Sequence, residues 1–127
     1  MIEAVAFAVV LAAAAPGDPR KGEEIYSRCL ACHALAYDRT GPRHCGLFGR
    51  RAGSVSGFTY SAAMKSSRIV WSAKTLDAFI TDPMRTVPGT AMGYAGVKDA
   101  KERADLIAYL QDADGSAACK PVIPGAR

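Results

Sequence analysis

Apolar positions along the chain fall into three helical stripes separated by two stretches without any regular pattern. Ile25, Tyr26, Cys29, Leu30 and His33 recur at three- and four-residue steps, which predicts a helix placing Cys29 and His33 near one face. Asp18 can cap it, with Pro19 at its first position and Glu23 and Glu24 in the early turns. A second helix is expected over about 72–81, with Leu76, Phe79 and Ile80 on one side, ending before Pro83 because the residue ahead of proline avoids helical backbone. The last begins after Asp99, with Glu102 three residues on, carries Leu106, Ile107 and Leu110, and can end at Gly115. Between these lie residues 34–60, punctuated by Gly41-Pro42, Gly46, Gly49, Gly53 and Gly57, and a second loop with Pro88-Gly89 and Gly93 to Gly96. No strand alternation and no internal repeat is visible, so the class is small and all-α. A loop as long as 34–60 is unusual in a small domain without a functional reason, and wrapping a cofactor is such a reason.

The N-terminus carries a different pattern. Ala4 to Ala15 is an apolar run closed by small residues and followed by Pro16-Gly17-Asp18. It is too short for a bilayer core of about 30 Å, which needs about 20 residues. Its length suits the apolar region of a secretory signal with an Ala-x-Ala site near Ala12 to Ala15, although Met1-Ile2-Glu3 lacks the usual positive charge. Residues 1–15 therefore read as a signal peptide, 16–115 as the folded domain and 116–127 as a C-terminal tail. Export would place the protein in the periplasm.

Composition narrows the picture further. The chain has 127 residues, 16 Lys and Arg against 12 Asp and Glu, and a formal net charge of +4. The basic excess is modest and scattered, which argues against a dedicated nucleic-acid binder. A chain of this size buries only about two-thirds of its unfolded surface, so a cofactor or cross-link would help it fold.

The four cysteines point to which. Cys29-Leu30-Ala31-Cys32-His33 is C-x-x-C-H, the attachment signal for a c-type haem. Two thiols about one turn apart can reach two vinyl groups on one porphyrin edge, and the following imidazole can bind the iron. A thioredoxin-like dithiol would need a βαβ setting, and a zinc site would need a better second half than His44 with Cys45. The sixth iron ligand decides function: an open position binds gas or peroxide, whereas a thioether favours electron shuttling. Of Met1, Met64, Met84 and Met92, only Met92 sits in a Pro-Gly-Thr-x-Met loop that can present it from a turn. Met64 is its main rival.

The sequence resembles a class I c-type cytochrome, closest to the mitochondrial-type and bacterial soluble members. The likeness covers nearly all of 18–112. It runs through Cys29-Leu30-Ala31-Cys32-His33, Thr40-Gly41-Pro42, Gly46-Leu47-Phe48-Gly49-Arg50 and Gly57-Phe58-Thr59-Tyr60. It continues through Trp71, Pro88-Gly89-Thr90-Ala91-Met92 and the stretch from Glu102 to Leu110.

That resemblance implies three main helices, with short ones, wrapped by loops around one covalent haem c held through Cys29 and Cys32. It implies His33 and Met92 as axial ligands, and Thr90 beside Met92 in the same motif. The Pro42 carbonyl would accept a bond from the other His33 nitrogen, fixing the ring and raising its basicity. Arg50, Tyr60 and Trp71 match positions that hydrogen-bond the haem propionates. Met64 and Phe79 depart from a family Asn and Tyr on the distal side, removing hydrogen-bonding groups near the sulfur. The segment Ala34 to Arg39 is also shorter than in the family. Cys45 and Cys119 stand outside the haem motif, and a left-over pair in an oxidising compartment suggests a disulfide. In the family fold the loop near Cys45 lies close to the end of the last helix, so a bridge would tether the tail.

A His/Met haem without a free site favours outer-sphere electron transfer at a raised potential. The expected role is therefore a monomeric electron carrier, not an enzyme, between a quinol-oxidising complex or periplasmic dehydrogenase and a terminal oxidase or other acceptor. A peroxidase or ligand sensor is the alternative if Met92 does not bind, and a docked dehydrogenase subunit would share the carrier's chemistry. Arg28, Arg43, Arg85 and Lys98 are candidates for a patch steering acidic redox partners.

Overall fold

The computed structural model describes residues 1, 4–9 and 16–122. The expected cleavage site at Ala12 to Ala15 and the tail beyond Val122 lie outside them. Residues 4–9 are exposed and carry no regular structure.

Among the described residues five α-helices form, in the order α1 (Pro19–Tyr26), α2 (Ala62–Lys65), α3 (Ala73–Thr81), α4 (Pro83–Thr86) and α5 (Ala100–Asp114). Their starts follow from side chains that satisfy free backbone N–H groups. Asp18 accepts from the Arg20 amide, Ser61 from Met64, Asp82 from Arg85 and Asp99 from Glu102. At α3 the cap is reciprocal, because Thr75 also accepts from the Ser72 amide while Ser72 accepts from Thr75. The only strand-like pairing among the described residues is one bridge between Arg51 and Val70.

The first helix ends earlier than its apolar period predicts. After Tyr26 the chain tightens into a 3₁₀ turn, Ser27–Cys29, before entering the loop. Carbonyls that would otherwise serve a continuing helix are taken by that loop: Gly41 donates to Cys32 and the Arg39 guanidinium to Leu30. The His33 amide still reaches the Cys29 carbonyl at 2.9 Å, so one helical turn survives across the C-x-x-C-H motif.

α1 and α5 pack closely. Gly22 makes this possible, because a Cβ there would lie 1.9 Å from the Asp105 carbonyl oxygen. The Asp18 amide donates to Asp105 Oδ1 at 2.7 Å, and Lys101 pairs with the same carboxylate. Those two interactions hold the Asp105 carboxyl below its ordinary value, the amide bond first. Arg103 joins α5 to α3 through Asp77 at 2.8 Å. Leu106, Ile107 and Leu110 of α5 meet Ile25 and Tyr26 of α1 and Leu76 and Phe79 of α3 in one core with Leu47, Trp71, Val87 and Val97. The bundle leaves a large cavity.

Candidate functional site

That cavity has a volume of about 510 Å³ and a mostly apolar wall. Cys29, Cys32, His33, Pro42, Arg50, Tyr60, Trp71, Phe79, Thr90 and Met92, scattered over 64 positions in sequence, all line it. So do Met64 and His44. Met84, half-exposed on α4, does not.

On the side formed by the C-x-x-C-H turn, Cys29 and Cys32 are unpaired thiols. Burial raises the Cys29 thiol above its ordinary pKa. His33 is buried, and its Nδ1 lies 2.8 Å from the Pro42 carbonyl oxygen. This bond fixes Nδ1 as the donor and leaves Nε2 as the free ligating atom. Burial lowers the imidazole's pKa, opposed by the bond to Pro42, so the ring stays neutral. Gly41 is required beside it, because a Cβ there would fall 2.2 Å from His33 Cε1.

The neighbouring segment is heavily tied. The His44 amide reaches the Ala34 and Leu35 carbonyls, and the Cys45 amide donates to Leu35 at 2.8 Å. Cys45 and Cys119 are bridged, with Cα atoms 5.2 Å apart. Asp114 at the end of α5 accepts from the amides of Gly46 and Phe48. Arg50 donates to the Arg43 and Cys45 carbonyls, and burial lowers its pKa without discharging it. The Trp71 amide donates to the Arg50 carbonyl, setting these residues side by side, and Tyr60 accepts from the Val55 amide. The Tyr60 hydroxyl proton stays available to a further acceptor.

Another part of the wall is built by packing. Phe79 sits against Trp71 with ring centroids 5.2 Å apart. Met64 is placed by the Ser61 cap of α2. Met92 follows a turn in which Gly89 takes φ +91° and Thr90 Oγ1 accepts from the Met92 amide. Two methionines thus line the same cavity as the His33 imidazole.

The donor set fits a covalently attached metalloporphyrin. Two thiols, a neutral imidazole with one nitrogen committed elsewhere, and a thioether surround a space that is otherwise apolar. Among the described residues no cluster of three or more His, Cys, Asp or Glu could hold a bare metal ion, so the zinc alternative has no site there.

Two of the four candidate basic residues are ion-paired. Arg28 pairs with Glu102 at 2.6 Å, Arg43 pairs with Asp38 at 3.4 Å, and Lys98 donates to the Thr81 carbonyl. His44 was not legible as a site residue from the sequence. Its Nδ1 lies 2.8 Å from the Tyr26 hydroxyl, and its ring stacks on His33 with centroids 4.2 Å apart. Burial holds its pKa well below the ordinary histidine value. His44 lines the cavity together with Pro42 and Leu47.

Comparison with known proteins gives the chain a family. The family model for cytochrome c matches residues 19–114. Cytochrome c2 of Blastochloris viridis is 44% identical over 114 residues, covering 86% of this chain and 90% of its own. Cytochrome c of Sesamum indicum is 42% identical over 104 residues, covering 79% and 94%. Cytochrome cH from Methylobacterium extorquens has a similar structure, with a TM-score of 0.74 and 37% identity over 76% of this chain and 99% of its own. A covalent haem c and electron transport, without enzymatic turnover, go with that likeness: the chain belongs to the cytochrome c family.

Proposed function

We propose that the chain is a periplasmic, monomeric one-electron carrier with a single haem c joined to Cys29 and Cys32 and ligated by His33 and Met92. The reading is carried by one observation: the C-x-x-C-H turn and the Met92 loop line the same apolar cavity. Bound haem supplies one-electron exchange at its iron. The protein's part is to hold the iron's surroundings constant during that exchange. Pro42 keeps His33 in one tautomer, and the Thr90 bond orients the Met92 backbone. The apolar wall excludes water, and Arg50, Tyr60 and Trp71 offer donors to the two carboxylates.

Met92 is favoured over Met64 because it stands in a turn that is free to present a side chain, while Met64 is built into α2. The transient partners are membrane redox complexes or periplasmic dehydrogenases. Pairing at Arg28 and Arg43 weakens charge steering toward them, so electron-transfer rates should fall only modestly with ionic strength. Among the described residues no helix is long and apolar enough to cross a membrane, in keeping with a diffusible carrier.

The ferric absorption spectrum tests the reading. The native protein should be low-spin, Met92→Ala should turn high-spin, and Met64→Leu should stay low-spin. The reverse pattern would assign the thioether to Met64. A high-spin native protein would replace the carrier with a peroxidase or ligand sensor. The mass of the native protein tests export, and a chain still carrying Met1 would refute it.

A further inference from the structure

We propose that His44 is a positioning residue for His33, setting the plane of the proximal imidazole, a role that rests on His33 being the iron ligand. The bond from Nδ1 to Pro42 is a single tie. Rotation of an imidazole about its last side-chain bond is only broadly restricted, so neither that bond nor rotamer preference alone fixes the ring's twist. A ring stacked on it does. His44 lies 4.2 Å from His33 between centroids at an interplanar angle of 21°.

His44 is itself held at both ends. Its backbone amide is bound by the Ala34 and Leu35 carbonyls, and the next residue is bridged to Cys119. Its ring is anchored by the Tyr26 hydroxyl at 2.8 Å. Tyr26 is only 3% exposed and packs against Tyr109 of α5, so the anchor belongs to the α1–α5 core. A path of direct contacts therefore runs from that core through Tyr26 and His44 to the ligand ring. Ring orientation governs overlap between the imidazole and the iron d orbitals, and thereby the relative stability of the two oxidation states.

The test uses full-length holoprotein carrying His44→Leu, His44→Phe or Tyr26→Phe. Its readouts are the g values of the ferric electron paramagnetic resonance spectrum, the midpoint potential and the melting temperature. In His44→Leu the largest g value should move and the redox equilibrium constant change between twofold and tenfold, the upper end being about 59 mV for one electron. Tyr26→Phe should move both in the same direction by less. His44→Phe, which keeps a ring, should restore the native g values. Folded, low-spin His44→Leu and Tyr26→Phe proteins with native g values and potential would overturn the role. If His44→Leu does not fold, Tyr26→Phe decides alone. A native protein that is not low-spin would overturn the ligation reading and this role with it, whereas a low-spin native protein with unmoved variants would overturn this role only.

Discussion

The two walls of the cavity are built by different means. On the His33 side, a bridge, a bound carboxylate at Asp114 and a chain of backbone bonds fix almost every residue from Ala34 to Arg50. On the Met92 side, Phe79, Met64 and Met92 are held by apolar contact, one helix cap and one short turn. Directional bonds lock an orientation, whereas packing tolerates small slips. The first wall is suited to fixing a ligand's angle. The second is suited to accommodating small shifts of the side chains that line it.

The sharpest way to break the contrast is at Gly41. Gly41→Ala drives a Cβ into the His33 ring at a site that cannot give, since the ring is held by Pro42 and His44. Haem incorporation, read as the haem-to-protein ratio of purified protein, should collapse. A fully loaded Gly41→Ala protein would show that the proximal wall yields. Next in size is the bridge. Replacing Cys45 and Cys119 by Ser together should lower stability by roughly 4 kcal/mol on the loop-entropy model for a closure of this length. Denaturant unfolding reads the loss, and a change under about 1 kcal/mol would mean that the Asp114 bonds hold the segment without it. Smallest is Phe79→Tyr. A hydroxyl added to this apolar wall without a partner costs about 1–3 kcal/mol. A stability gain together with a shifted potential would show instead that the hydroxyl had found the Met92 sulfur, and that the packed wall accepts a directional bond.

How much of this was legible beforehand depends on whether the signal is local. The caps at Asp18, Ser72 and Asp99 act within three residues, so the three main helices start where the sequence places them. The C-x-x-C-H turn and the Pro-Gly-Thr-x-Met loop are equally local, and both line the cavity. The early end of α1 was not legible, because it depends on Gly41 and Arg39 capturing carbonyls from far along the chain. Gly22 looks like an ordinary helix weakness in sequence, and only the approach of α5 explains it. The contacts of His44 are not legible for the same reason: they are with Tyr26 and His33, neither of which it adjoins in sequence. The basic residues are a different case. Arg28 and Arg43 are where they were expected, but their charges are shared with Glu102 and Asp38.

The bridge between Cys45 and Cys119 also changes the topology of the molecule. It turns everything between them into a closed covalent ring, with Met92 on its circumference and the C-x-x-C-H stem outside. The segment that carries Met92 is thereby a hoop whose two feet are fastened together beside His44. A protease that cuts the hoop once releases no fragment. Both halves remain one molecule until the bridge is reduced, so damage on this wall should leave its mark in a gel only when reductant is added.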